Sequence, residues 1–230
     1  MSMGSTKSIV QEIPVSQVLS LRQWVYRFFG RFFYKEPNLG ELLVLGESNP
    51  FQILAEDEES QGEGLQLLVD FLAEVPALSK EECKNLKEEY QRLFLGPDPL
   101  PAHPWESVYL SREHIILDEH TLKVREFYRA WGVEVDGNDP DDHIGLELEF
   151  MALLNEKGLD CCNLGNLSGL KDVLTAQRAF LENHLLCWTQ KYCNLLAQST
   201  AHPLYRGIAL FTPEYLEADR DLLDELLSSL

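Results

Sequence analysis

Apolar side chains return every three or four residues along most of this chain, and almost nowhere at every second residue. Val18, Leu21, Val25, Phe28, Phe29 and Phe32 follow steps of 3, 4, 3, 1 and 3, which is one face of an α-helix. Pro37 closes that run, and residues 39–46 and 64–75 predict two more helices around the acidic, turn-rich stretch AEDEESQGEG. Ser79 and Glu82 make a capping box. It opens a helix with Cys83, Leu86, Tyr90, Leu93 and Phe94 on its face, and Gly96-Pro97 stops it. Val124, Phe127, Tyr128 and Trp131 mark a helix ending at Gly132, and 144–154 is apolar nearly all round, as a central buried helix is. A longer helix is expected over about 168–198, and Thr212-Pro213 reads as the N-cap and first residue of a last, acidic one. SVYL and HIIL alternate but are short and isolated. The chain is expected to be all-α.

The polar stretch VEVDGNDPDDH is the best place for a boundary. Residues 1–14 read as a tail, 15–133 as an N-terminal helical half, 134–143 as a hinge and 144–230 as a C-terminal helical half. Before that boundary lies a second interruption, LFLGPDPLPAHPWESVYL, with Pro97, Pro99, Pro101 and Pro104 inside eight residues. Proline fixes φ and lacks an N–H, so this stretch is neither helix interior nor central strand. It is a stiff, aromatic loop in a helical chain.

Charge and cysteine usage narrow the function. With 38 acidic against 19 basic residues, a net −19, the chain lacks the basic face that replaces phosphate counterions, and no nucleic-acid partner is expected. A basic partner suits it better. The five cysteines form no C-x-x-C pair, as in a reducing compartment. No signal-peptide core and no run of 18 apolar residues is present, so a cytoplasmic protein without stable membrane insertion is expected.

Chemistry-bearing constellations are sparse. The P-loop pattern is missing. The carboxylate run Asp136 to His143 has Pro140 and a misplaced glycine, unlike a calcium loop. His184, Cys187 and Cys193 lack a fourth zinc ligand, and no nucleophile can be assigned. No metal, no cofactor and no enzymatic activity are expected. Asp142 is expected to cap the following helix, which would present His143 at its first turn to solvent or a ligand.

Three blocks carry a resemblance. Tyr90 to Pro97 (YQRLFLGP) continuing to Pro104-Trp105-Glu106-Ser107-Val108-Tyr109 is one. Val124 to Gly132 (VREFYRAWG) followed by Pro140 to Leu148 (PDDHIGLEL) is the second, and Phe180 to Trp188 (FLENHLLCW) is a weaker third. Together these resemble the TorD/DmsD-type redox-enzyme maturation chaperones over roughly residues 18–215. The resemblance implies an all-helical fold whose halves join at the Pro140–His143 hinge. It also implies a cytoplasmic chaperone that binds the twin-arginine leader and body of a molybdopterin-dependent oxidoreductase. Such a chaperone delays export until the cofactor is loaded, and acts as a monomer or a hinge-exchanged dimer. By motif match the leader-contacting residues are Trp105, Pro140, Asp142 and His143, with Glu106, Ser107 and Tyr109 beside them.

The residues themselves point the same way. Two adjacent guanidinium groups ahead of an apolar stretch need carboxylates beside an apolar, aromatic-lined groove. Between Ala130 and Glu156 the chain has eight acidic residues and no Lys or Arg. Trp105 and Tyr109 offer large contact area with few rotors to freeze, and a stiff loop loses less entropy when a peptide docks. The alternative for Trp105 is a core residue that pins the loop. Two rival functions stand: a metal-dependent hydrolase on a helical scaffold, and a structural assembly subunit with no affinity for a leader.

Overall fold

The structure is a computed structural model that describes residues 13–56, 62–112, 116–137 and 139–230. The tail up to residue 12, residues 57–61 of the acidic stretch, residues 113–115 with the first half of HIIL, and Asn138 lie outside the described residues. Among those described, the chain is helical with no strand; the one β-type pairing is an isolated antiparallel bridge between Trp105 and His143.

Helix α1 (Val15–Tyr34) buries the predicted stripe from Val18 to Phe32 apart from Leu21, which is half-buried. Helices α2 (Leu39–Ser48), α3 (Phe51–Ala55) and α4 (Glu63–Glu74) follow. Helix α5 (Lys80–Tyr90) opens on the expected capping box, with both reciprocal bonds between Ser79 and Glu82 present. It runs into a π-turn, Gln91–Leu95, and Gly96 at φ 90° ends it. The proline loop leads into α6 (Glu106–Leu110), a single helical turn where the short SVYL alternation hid it. Helix α7 (Glu119–Ala130) precedes the hinge and α8 (Ile144–Asn163) follows it.

The long helix expected over about 168–198 is present as α9 (Leu167–Phe180) and α10 (Leu186–Ser199), continuous through a π-turn at Leu181–Leu185. The expectation for the last helix needs correction. Helix α11 (Pro203–Ser229) starts at His202, whose ring accepts from the Leu204 N–H, so Thr212-Pro213 is interior and not a start. Thr212 donates its hydroxyl to the Ile208 carbonyl, one residue before the Ala209 carbonyl that loses its helical donor at Pro213.

The core is continuous through both sides of the hinge. Its central contact is α1 against α8, and glycine sets how closely they cross. A Cβ on Gly30 would lie 3.0 Å from the Gly145 carbonyl, and one on Gly145 would lie 2.7 Å from Tyr34 Cβ. That crossing fixes the start of α8, and with it the end of the hinge. Deeper in the bundle, Arg22 is buried and forked onto Asp219 (2.6 and 2.9 Å), with further bonds to Asn155 and Gln177. One guanidinium thus ties α1 to α8, α9 and α11.

Candidate functional site

The two blocks that straddle the chain's irregular segments meet at one junction. The Glu106 N–H donates to the Asp142 carbonyl (3.0 Å) and the Ile144 N–H to the Pro104 carbonyl (2.9 Å). These bonds flank the Trp105–His143 bridge and lash the end of the proline loop to the end of the hinge.

Asp142 strengthens the junction differently from the sequence expectation. It is fully buried; Oδ2 accepts from the Ser107 N–H (2.8 Å) and Oδ1 from the Thr121 hydroxyl (2.9 Å). The helix start it serves is therefore that of α6, across the junction, and the cap of α8 is His143, whose Nδ1 accepts from the Gly145 N–H (3.0 Å). His143 is also buried rather than presented to solvent, with its ring 5.1 Å from Tyr34 and 6.0 Å from Trp105. The swap has a simple cause: α6 is short and starts in the interior, where an unpaired N–H is costly.

The other candidates divide. Trp105 is half-buried, flanked by His103 and His143, and its indole N–H has no acceptor among the described residues. The hydroxyl of Ser107 is likewise buried without a partner among them. Pro140 is half-buried, and its carbonyl accepts from the His143 N–H. Tyr109 faces inward instead, stacked on Trp188 at 5.4 Å. The acidic hinge is also less available than its composition suggests. Asp141 is held by Arg125 (2.7 Å) and Asp139 accepts from the Tyr34 hydroxyl (2.6 Å).

Glu106 is buried beneath a groove of about 760 Å³. Its carboxylate meets His184 Nδ1 at 3.0 Å and His120 Nδ1 at 3.5 Å. Below it lies Glu147, also buried, whose Oε2 accepts from the Trp188 indole N–H at 3.3 Å. Burial first, then the neighbouring charges of Glu106 and Asp142, push Glu147 well above the ordinary carboxylic range. Glu147, His184, His120 and Thr121 were missed by sequence reasoning. A signal existed for Glu147: it is a carboxylate inside a helix that is otherwise apolar nearly all round, and such a group needs a buried partner. Among the described residues, no three or more His, Cys, Asp or Glu side chains are arranged to hold a metal ion.

Two buried groups give opposite pH dependences. Glu147 takes up a proton on folding above the ordinary value of 4.5, so its contribution is lost as pH rises toward its raised pKa. Burial lowers His143 from 6.5 to about 4, against the opposing charge of Asp139. The unfolded chain therefore binds more protons between those values, and stability falls as pH drops from 6.5 toward 4. Glu147→Gln keeps a donor and an acceptor without the proton, so the variant should match or exceed the parent's melting temperature at pH 8 and lose that advantage by pH 5. A variant less stable than the parent at pH 8 would contradict the upward shift of Glu147.

Residues 55–194 match the family model described as nitrate reductase delta subunit. The chain is 30% identical over 187 residues to the Tat proofreading chaperone DmsD of Salmonella typhi, covering 79% of this chain and 80% of that one. It is 27% identical over 209 residues to the chaperone protein TorD of Vibrio cholerae, covering 89% and 93%. A putative redox enzyme maturation protein from Archaeoglobus fulgidus aligns with a TM-score of 0.48 at 20% identity, over 85% of this chain and 93% of that one.

Proposed function

The chain belongs to the TorD/DmsD-type family of redox-enzyme maturation chaperones, and on that premise we propose that it binds the twin-arginine leader of a molybdopterin-dependent oxidoreductase in the cytoplasm. It holds the body of that enzyme unexported while the cofactor is inserted. The observation that carries this reading is the junction itself. Two segments far apart in sequence are lashed together by the Trp105–His143 bridge and its flanking bonds. Such a junction is stiffer than either loop alone, which favours capture of a flexible peptide.

In this reading Trp105 is the half-buried anchor, with Pro140 beside it. The Glu106 backbone N–H, with Ser107, Asp142 and His143, holds the anchor in position, and Tyr109 supports α6 from inside through Trp188. The hinge at 134–143 separates residues 15–133 from 144–230. Two copies could exchange their C-terminal halves there, each α8 repacking on the other's α1, alongside a monomer. Among the described residues no helix is long and apolar enough to cross a membrane.

The test is calorimetric titration with a synthetic twin-arginine leader. Trp105→Ala should weaken binding by about 2 kcal/mol, roughly 30-fold, as truncated aromatic anchors do. Helical content should stay near the parent's, because the ring is only half-buried. Unchanged affinity would remove Trp105 from the site, and loss of helicity would make it a core residue.

A further inference from the structure

Within the acidic hinge Asp139, Asp141 and Asp142 each serve an internal partner, which leaves the exposed Glu134 and Asp136 for an incoming guanidinium. Glu106 stands differently. It lines a groove of about 760 Å³, and among the described residues its only ion-pair contacts are the imidazoles of His184 and His120. Glu126 is exposed on the same groove with no Lys or Arg partner among the described residues. The walls between them include Leu110, Phe127 and Ala130.

Resting on the leader-binding reading above, we propose that this groove takes the leader's arginine pair. One guanidinium reaches Glu106 at the floor, and the other pairs with Glu126 at the rim. A forked guanidinium matches a carboxylate better than an ammonium does, and the ring of Phe127 offers a face for it to lie on. A volume of about 760 Å³ has room for both side chains and an apolar neighbour, being within the usual range for ligand sites. Access to Glu106 passes His120, whose side chain is 19% exposed and meets Glu106 at 3.5 Å. That ring must turn aside, and an arginine then replaces it. The occupant is consistent with charge: the chain carries −19 overall, and two carboxylates face the groove against one ammonium, that of Lys123.

Calorimetry with two leaders tests this, one with its arginine pair and one with both changed to Gln. Glu106→Gln should bind the arginine leader roughly 10- to 100-fold more weakly, the range for a charge-assisted bond made neutral. It should bind the glutamine leader as the parent does. Ala130→Trp, at an exposed position, should fill the groove and weaken the arginine leader by at least as much. Equal losses for both leaders, or an Ala130→Trp protein that binds like the parent, would overturn the assignment. The leader-binding reading would then survive with its arginine site elsewhere. A parent protein that binds neither leader would bring down both. Should Glu106→Gln fail to fold, Glu126→Gln carries the same comparison from an exposed site: a loss confined to the arginine leader supports the assignment, and equal affinity with the parent for both leaders refutes it.

Discussion

Replacing Arg22 with methionine should destabilise the protein by about 3–5 kcal/mol, because removing one partner of a buried ion pair strands the other. Asp219 is fully buried, and without Arg22 it keeps only the Tyr26 hydroxyl at 2.6 Å. Asn155 and Gln177 each lose a bond as well. Burial opposes the charge on Arg22, yet Asp219 outweighs it and holds the guanidinium's pKa above its ordinary value. The double variant Arg22→Met with Asp219→Leu should be markedly less damaging than the sum of the two singles, since an apolar pair needs no compensation. Urea denaturation measures all four proteins. An Arg22→Met cost below about 1 kcal/mol would mean that the pair behaves like a surface one and does not hold the four helices together.

The second large effect belongs to Asp142. Its change to alanine removes the acceptor from the Ser107 N–H and the Thr121 hydroxyl, both buried. Each orphaned donor costs about 1–3 kcal/mol, so a total near 3 kcal/mol is expected. Asp142→Asn should cost less, about 1–2 kcal/mol, because its amide oxygen accepts one bond and Thr121 can rotate to accept from its NH₂. The damage should also be local. Hydrogen exchange at the Ser107 amide should accelerate in Asp142→Ala more than exchange in α8. Leader affinity should fall with it, since Trp105 immediately precedes α6. Unchanged protection at Ser107 would show that the capping bond does not hold the junction.

Asp142 also shows what could be read from the residues alone. Its position before α8 and its type make it a good cap, and it is one, but for a helix 35 residues earlier in the chain. Local rules identify a capping side chain; they do not say which of two nearby helix ends it will serve. The same limit applies to Arg22, whose partners lie 133 to 197 positions away. What was legible was local: the stripe of α1, the capping box at Ser79, the stop at Gly96 and the buried character of α8. What was not legible depended on packing. Pro213 sits inside α11 because the helix is fixed by its neighbours, and α6 forms a turn because Asp142 meets it. Of the candidate site, the resemblance singled out the lashed residues, while Glu147, His184 and His120 emerge only when the helices are brought together.

Recognition of a twin-arginine leader, as proposed above, is read most directly by calorimetric titration of the purified protein with the leaders of the twin-arginine-exported molybdopterin enzymes from its own cell. At least one leader should bind one-to-one with a Kd of about 1 μM or below, equivalent to about −8 kcal/mol. Changing its two arginines to glutamine should weaken that binding at least tenfold. If no leader binds, while a DmsD-type relative measured in parallel binds its own, the junction and groove described here do not form a leader site.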